Sequence, residues 1–243
     1  GFGVLIMVWY LTSAVGAAFF LCGLIALVVE RLAYRPMMGG DVEVPLVSSL
    51  GFLVLLENLA LIRFGSDQQA FPVLLGDMNI RLGGLVIGSA QIVSLGFSVA
   101  VVVWLTWFLS STSTGRKIRA VAENAESARM LGINIARLVP QLFVASALLT
   151  ALAGILFALN YQQVSPFMGE IVGFKGIAAM IIGGMGSIWG AVLGGLLIGM
   201  VEVGSIAIFG ANVVDLTVYG LLLLILILRP QGLLGRAPGR EKL

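Results

Sequence analysis

Long apolar runs, separated by short polar connections, constrain this chain more than any other feature. The run over residues 4–29 contains no charged side chain. A helix needs about 20 apolar residues to cross the hydrocarbon core of a bilayer, and inside lipid a helix pairs its backbone polar groups within the segment. The runs therefore predict membrane-spanning helices. They cover residues 4–29, 46–64, 92–109, 138–159, 171–182, 188–209 and 213–228.

The composition indicates the same class of protein. Hydrophobic residues make up 59% of the 243 residues and charged residues 11%, whereas a soluble domain has roughly 25% charged residues. We therefore predict an all-α, polytopic integral membrane protein with about seven transmembrane segments, forming one domain over residues 1–243. The fifth run is short, so it is either a full span or a half-helix. Gly1 opens the chain without an initiator methionine, which leaves room for a further span before it.

The distribution of Lys and Arg predicts the orientation of the spans. The connections at 30–45, 110–138 and 229–243 hold 11 of the 14 basic residues. Because basic residues concentrate on the cytoplasmic side of membrane proteins, we expect these three connections to face the cytoplasm. The N-terminus then lies outside and the C-terminus inside. The opposite side keeps Arg63, Arg81 and Lys175.

The connection at 111–137, called the charged loop below, is polar enough to be more than a linker. We expect residues 115–133 to form one short amphipathic helix, capped at its start by Ser113 or Thr114. Gly132 suits a left-handed cap at its end. Apolar positions recur at helical spacing along this stretch. They are Ile118, Val121, Ala122, Ala125, Ala128 and Gly132.

Charges on another face of this helix stand one turn apart. Arg119 with Glu123, and Glu126 with Arg129, are at the spacing of ion pairs. The apolar face consists mainly of small residues, which permit close approach by another protein surface. Two interpretations stay open from the pattern: a helix resting on lipid headgroups, or a docking helix for a cytoplasmic partner.

Four stretches, taken in order, carry a family resemblance. They read VERLAYRPM at 29–37, GRKIRAVAENAESARMLGIN at 115–134, GGMGSIWGAVLGGLLIGMVE at 183–202 and RPQGLLGR at 229–236. Within the second, Glu126-Ser127-Ala128 followed by Gly132 is close to the EAAxxxG signature of ABC importer permeases. Over nearly its whole length the chain resembles the permease subunits of branched-chain amino acid ABC importers, the LivH type.

The resemblance implies a set of partners. Such a permease pairs with a second homologous permease or with a copy of itself. It binds two cytoplasmic ATPase subunits and receives substrate from an extracytoplasmic binding protein, which the loop at 65–90 would help to meet. It lies in the cytoplasmic (inner) membrane of a bacterium or archaeon. The residues of the charged loop expected to couple to the ATPase are Arg116, Arg119, Glu123, Asn124, Glu126, Ala128, Arg129 and Gly132.

The chain itself carries no sign of nucleotide chemistry. It has no GxxxxGK[ST] phosphate-binding loop, so we expect a transport subunit without catalytic residues, and ATP-Mg bound by partner subunits instead. It has no His and a single Cys, which argues against a Cys/His metal site. We expect no cofactor in this chain and no nucleic-acid partner.

Small residues recur every four positions between 183 and 199. One interpretation is a helix–helix interface, because such ladders allow two helices to pack closely in lipid. The other is a helix break at GGMGS that lines the pathway, because irregular backbone at membrane depth is tolerated beside a cavity. Both interpretations are compatible. The residues expected to pack or to break the helix are Gly183, Gly184, Gly186, Gly190, Gly194 and Gly195.

Three polar residues inside the spans are candidates for the translocation pathway. Glu57 and Asn58 lie in the second run and Glu202 in the sixth. Ionisable groups inside a membrane are costly and are commonly functional. The structural alternative is that each is paired internally or sits near the membrane surface.

We predict an ATP-driven permease for branched-chain amino acids. Related permeases for urea, amides or other amino acids are an alternative within the family. A stand-alone secondary carrier or channel is an alternative of a different class, and a membrane scaffold without a pathway is a third.

Overall fold

The computed structural model describes residues 2–37, 43–71, 80–82 and 85–235, and most of them are helical. Their contacts divide the chain into two units, Gly1–Pro166 and Phe167–Leu243, and each is described by itself. The helices are α1 Phe2–Val29, α2 Glu43–Phe64, α3 Ser89–Ser111, α4 Ser113–Glu123, α5 Ala125–Met130, α6 Ile135–Tyr161, α7 Met168–Gly183, α8 Ile188–Phe209 and α9 Val214–Leu228.

The helical membrane fold predicted from the apolar runs is confirmed. Six of the described helices are long and apolar enough to cross a membrane. The fifth run forms α7, which is a continuous helix of 16 residues. At about 1.5 Å per residue this helix is roughly 24 Å long, somewhat shorter than the hydrocarbon core. Every predicted run lies on one helix, with ends that differ by three residues or fewer.

In the first unit α1 packs along α6, and a π-helical turn, Glu30–Tyr34, continues α1. Glu30 and Ala33 are buried in this turn. π-Helical turns are rare and occur often at functional sites. No role was predicted for Glu30 from the sequence.

Short strands interrupt the loop at 65–90. Strand β1, Gln69–Ala70, pairs antiparallel with β4, Gln163–Val164, which follows α6. Strands β2, Ile80–Leu82, and β3, Leu85–Ile87, pair antiparallel with each other. Residues 72–79 and 83–84 of the predicted extracytoplasmic loop lie outside the described residues.

The second unit is built on the hairpin of α7 and α8, against which α9 packs. Its apolar core consists of Ala178, Ile182, Ile198, Val214 and Val218, which come from all three helices. Ile182 and Val218 are fully enclosed. The four residues 184–187 join the two helices of the hairpin, so GGMGS forms the tight turn between two helices.

Candidate functional site

The charged loop consists of two helices, α4 and α5, rather than the single helix predicted over 115–133. The break falls at Asn124, whose backbone is extended. The Asn124 side chain accepts a hydrogen bond of 2.9 Å from the Ser127 backbone N–H, which is the arrangement of a helix N-cap. Asparagine competes well for this role and poorly for a helix interior, so the helix restarts at this residue. The predicted apolar face is therefore not continuous, and Ala122 and Ala125 are exposed.

The joint between α3 and α4 is held by Thr112, not by the predicted Ser113 or Thr114. The Thr112 hydroxyl accepts from the Gly115 backbone N–H at 3.0 Å and donates to the Phe108 carbonyl at 2.7 Å. The Thr112 side chain thus binds both a backbone carbonyl at the end of α3 and a backbone N–H at the start of α4. Gly115 is buried, and a Cβ at this position would overlap the backbone of Leu109. The two helices therefore meet at an angle that only glycine permits.

Both α4 arginines bind backbone carbonyls, and Arg119 does so in place of the predicted Glu123. Arg119 donates to the Leu109 carbonyl and Arg116 donates to the Ser111 carbonyl at 3.3 Å. Carbonyls in the last turn of a helix lack partners within the helix, and they are good acceptors for a cation. The predicted Arg119–Glu123 and Glu126–Arg129 ion pairs are wrong, because neither pair comes within 4.0 Å.

Two apolar side chains at the end of α5 are exposed. Gly132 has a φ of +80°, which confirms the predicted left-handed cap. The Ile133 N–H reaches the Ala128 carbonyl at 3.1 Å, as in a Schellman motif. The side chains of Met130 and Leu131 are 83% and 79% exposed, although Ala128 is buried.

A depression of about 440 Å³ lies beside this cap. It is lined by Arg129, Gly132 and residues 133–136. The charged loop therefore presents a shaped surface with two exposed apolar side chains next to it.

Glu57 and Asn58 lie side by side on α2 in the first unit. Asn58 donates to the Val54 carbonyl at 2.7 Å, so part of its hydrogen-bonding capacity is used within its own helix. One carboxylate oxygen of Glu57 is buried and has no hydrogen-bond partner among the described residues. Burying a carboxylate without a hydrogen-bond partner is energetically costly, so Glu57 is suited to bind a further polar group.

Glu202 is paired within the second unit. Its Oε1 accepts a hydrogen bond of 2.8 Å from Lys175 Nζ on α7. Lys175, which was predicted to be one of the charges of the outer side, lies in the middle of α7. Ser205, one turn further along α8, is 4% exposed, and its hydroxyl has no partner among the described residues.

Three of the predicted glycines make the hairpin of α7 and α8 possible. A Cβ at Gly183 would overlap the Gly190 carbonyl, and one at Gly190 would overlap the Gly183 carbonyl. A Cβ at Gly194 would overlap the Ala179 carbonyl. By contrast, Gly186 and Gly195 have open space where a side chain would be.

The segment after α9 closes over the end of α7. The N–H groups of Leu233 and Leu234 donate to the carbonyls of Ile182 and Gly183, both at 2.9 Å. The last carbonyls of α7 are thereby satisfied without solvent. Gly184, with a φ of +104°, packs its backbone directly on Gly235. Residues 229–235 of the RPQGLLGR motif therefore cap α7.

Comparison with known proteins assigns this fold to a family. The family model described as branched-chain amino acid transport system / permease component matches residues 2–227. The chain belongs to this family. It is 38% identical over 218 residues to the high-affinity branched-chain amino acid transport system permease protein BraD of Pseudomonas aeruginosa, covering 88% of this chain and 71% of that protein.

Other relatives extend the comparison. The permease protein LivH of Salmonella typhimurium, also of a high-affinity branched-chain amino acid transport system, is 34% identical over 224 residues, with coverage of 88% and 70%. The fructose import permease FrcC of Rhizobium meliloti is 32% identical over 133 residues, which are 52% of this chain and 36% of that protein. No solved structure matches the chain.

Several residues of these sites were not predicted from the sequence. Lys175 reads as an interfacial charge because its partner is 27 positions away. Neither Met130 nor Leu131 was among the predicted coupling residues, and their exposure follows from the cap at Gly132. No periodicity in the sequence singles out Ser205.

Proposed function

We propose that this chain is the membrane-spanning permease subunit of an ATP-driven importer for branched-chain amino acids. The observation that carries the proposal is the similarity to two branched-chain amino acid permeases over 88% of the chain. The chain would catalyse no covalent reaction. A binding protein would deliver the substrate from outside, and ATP-Mg bound by partner subunits would drive the transport cycle.

The charged loop would be the surface that the ATPase subunits contact. Three hydrogen bonds, from Thr112, Arg116 and Arg119, attach α4 to the end of α3. A push on α4 is therefore transmitted to a membrane span rather than absorbed in a flexible connection. The exposed Met130 and Leu131 supply the apolar contact that a partner groove would bury.

The proposed orientation follows from charge. The charged loop and the C-terminal segment hold most of the basic residues and would face the cytoplasm. A second homologous permease, or a copy of this chain, would complete the membrane core. Glu57 and Asn58 stay candidates for the pathway.

Uptake measurement tests the function. Membrane vesicles containing this permease, its ATPase subunits and its binding protein should accumulate labelled leucine only when ATP is supplied. The same vesicles should not accumulate labelled fructose, the sugar named for one partial relative. ATP-dependent uptake of fructose without leucine uptake would contradict the proposal, and so would leucine uptake that persists without the ATPase.

A further inference from the structure

The ion pair of Lys175 and Glu202 lies well inside the hairpin of α7 and α8. Lys175 stands seven residues after the helix start at Met168, and Glu202 stands seven residues before the helix end at Phe209. At about 1.5 Å per residue, both are roughly 10 Å from the ends of their helices. The pair therefore lies at the level of the apolar side chains, away from the lipid headgroups.

The pair is only partly enclosed. The side chains of Lys175 and Glu202 are 24% and 26% exposed. An ammonium has three donors and a carboxylate two acceptor oxygens, and one hydrogen bond joins them. Charged groups turned toward hydrocarbon are costly. The open side of the pair is therefore suited to water or to a polar molecule, and not to lipid.

The surface of α8 beside the pair is smooth. Gly199 precedes Glu202 by three residues and Gly195 precedes it by seven, so both lie on the same face of the helix as Glu202. Neither glycine has a neighbouring atom within 4 Å of where a Cβ would be. The two glycines therefore leave an open strip on α8 next to the ion pair, with room for an apolar group.

We propose that Lys175 and Glu202 form a subsite for zwitterionic α-amino acids, in which Lys175 binds the α-carboxylate and Glu202 binds the α-ammonium. The inference rests on the proposed function and specifies how the substrate is recognised within the membrane. As the amino acid enters, Lys175 exchanges the carboxylate of Glu202 for the α-carboxylate of the substrate. Glu202 exchanges the ammonium of Lys175 for the α-ammonium of the substrate. No charge is left unpaired during the exchange, which is the condition for moving a zwitterion through a low-dielectric region. A neutral sugar or amide offers no such exchange.

The alternative is a purely structural pair that ties α7 to α8. The two roles differ in the effect of removing both charges together. Replacing a buried ion pair by uncharged residues of similar volume is often neutral for stability, whereas removing one partner is strongly destabilising. The double variant Lys175→Met/Glu202→Gln is therefore the informative one, and Glu170→Gln near the start of the same hairpin is a matched control.

The experiment measures leucine uptake by the complete importer in vesicles, at equal amounts of assembled complex. We expect the double variant to lose uptake about 100-fold or more, since two charge-assisted contacts are removed, while assembly and basal ATP hydrolysis are retained. The Glu170→Gln control should transport at the parent rate. Parent-level uptake in the double variant would overturn the subsite. If the parent importer itself takes up no leucine, the proposed function fails, and the subsite fails with it.

A second measurement leaves the pair intact. Gly199→Cys in a Cys22→Ala background places a thiol beside the pair, in space that accepts a side chain. We expect a water-soluble thiol reagent to label it, and leucine to slow the labelling. Met200→Cys, which is 73% exposed in the parent and points away from the pair, should show no protection by leucine. Labelling of Gly199→Cys that leucine leaves unchanged would overturn the inference even if the double variant fails to assemble.

Discussion

Two adjacent glycines on α8 offer a controlled test of the packing in the second unit. A methyl group at Gly194 would overlap the Ala179 carbonyl and lie 3.0 Å from the Gly183 nitrogen. A methyl group at Gly195 would meet no atom within 4 Å. Because all three atoms that a Cβ at Gly194 would approach are backbone, no side chain can rotate away, and α7 has to move outward. Gly194→Ala and Gly195→Ala therefore add the same atom with opposite consequences.

The size of the expected effect is worked out as the difference in stability between the two variants. Both substitutions gain helix propensity of about 1 kcal/mol, so this contribution cancels in the comparison. Overpacking a filled interface costs about 1–3 kcal/mol, and only Gly194→Ala incurs it. For a domain of this size, 1 kcal/mol shifts the thermal midpoint by about 2–4 °C. We therefore expect Gly194→Ala to unfold about 2–12 °C below Gly195→Ala.

The assay is thermal unfolding of the purified permease in mild detergent, followed by size-exclusion chromatography of the protein that remains folded. Gly195→Ala should unfold at or slightly above the parent midpoint. Equal midpoints for the two variants would refute the close approach of α7 and α8 at Gly194.

Two further predictions concern the joints of the chain. Thr112→Val removes both hydrogen bonds of the Thr112 side chain at the joint of α3 and α4 and should destabilise the start of α4 by about 1–2 kcal/mol. The amides there should lose protection from hydrogen exchange, whereas Thr106→Val, which removes a bond within α3 alone, should leave α4 protected. Unchanged protection in Thr112→Val would contradict the role of Thr112 at the joint. Gly184→Ala should lower the thermal midpoint more than Gly186→Ala does, because both glycines have positive φ but only Gly184 contacts other backbone. Equal midpoints for these two variants would exclude the packing of the C-terminal cap.

The helices could be predicted because each long apolar run is a local feature of the sequence. An apolar run long enough to cross a bilayer has few alternatives to a helix, so α8 was found at its observed ends. The break at Asn124 was less visible, since the periodic apolar pattern runs across it. A single side-chain cap outweighed the propensity of the surrounding residues.

The contacts between helices were harder to predict. The glycine ladder indicated close packing, but only the structure distinguishes Gly194, which touches backbone, from Gly195, which faces open space. Lys175 and Glu202 are far apart in sequence, and a pair of this kind depends on the register of two helices. The register is set by the turn at 184–187 and by the glycines that follow it.

Docking of an ATPase on the charged loop is tested most directly by co-purification. The tagged permease, expressed with the genes beside it and extracted in mild detergent, should retain the ATPase at a fixed ratio. Met130→Ser/Leu131→Ser should lose the ATPase while the membrane part stays folded. Ile208→Ser/Phe209→Ser, which changes another exposed apolar pair, at the end of α8, should keep it. Full retention of the ATPase by the loop variant, or no ATPase bound to the parent in intact membranes, would contradict the account.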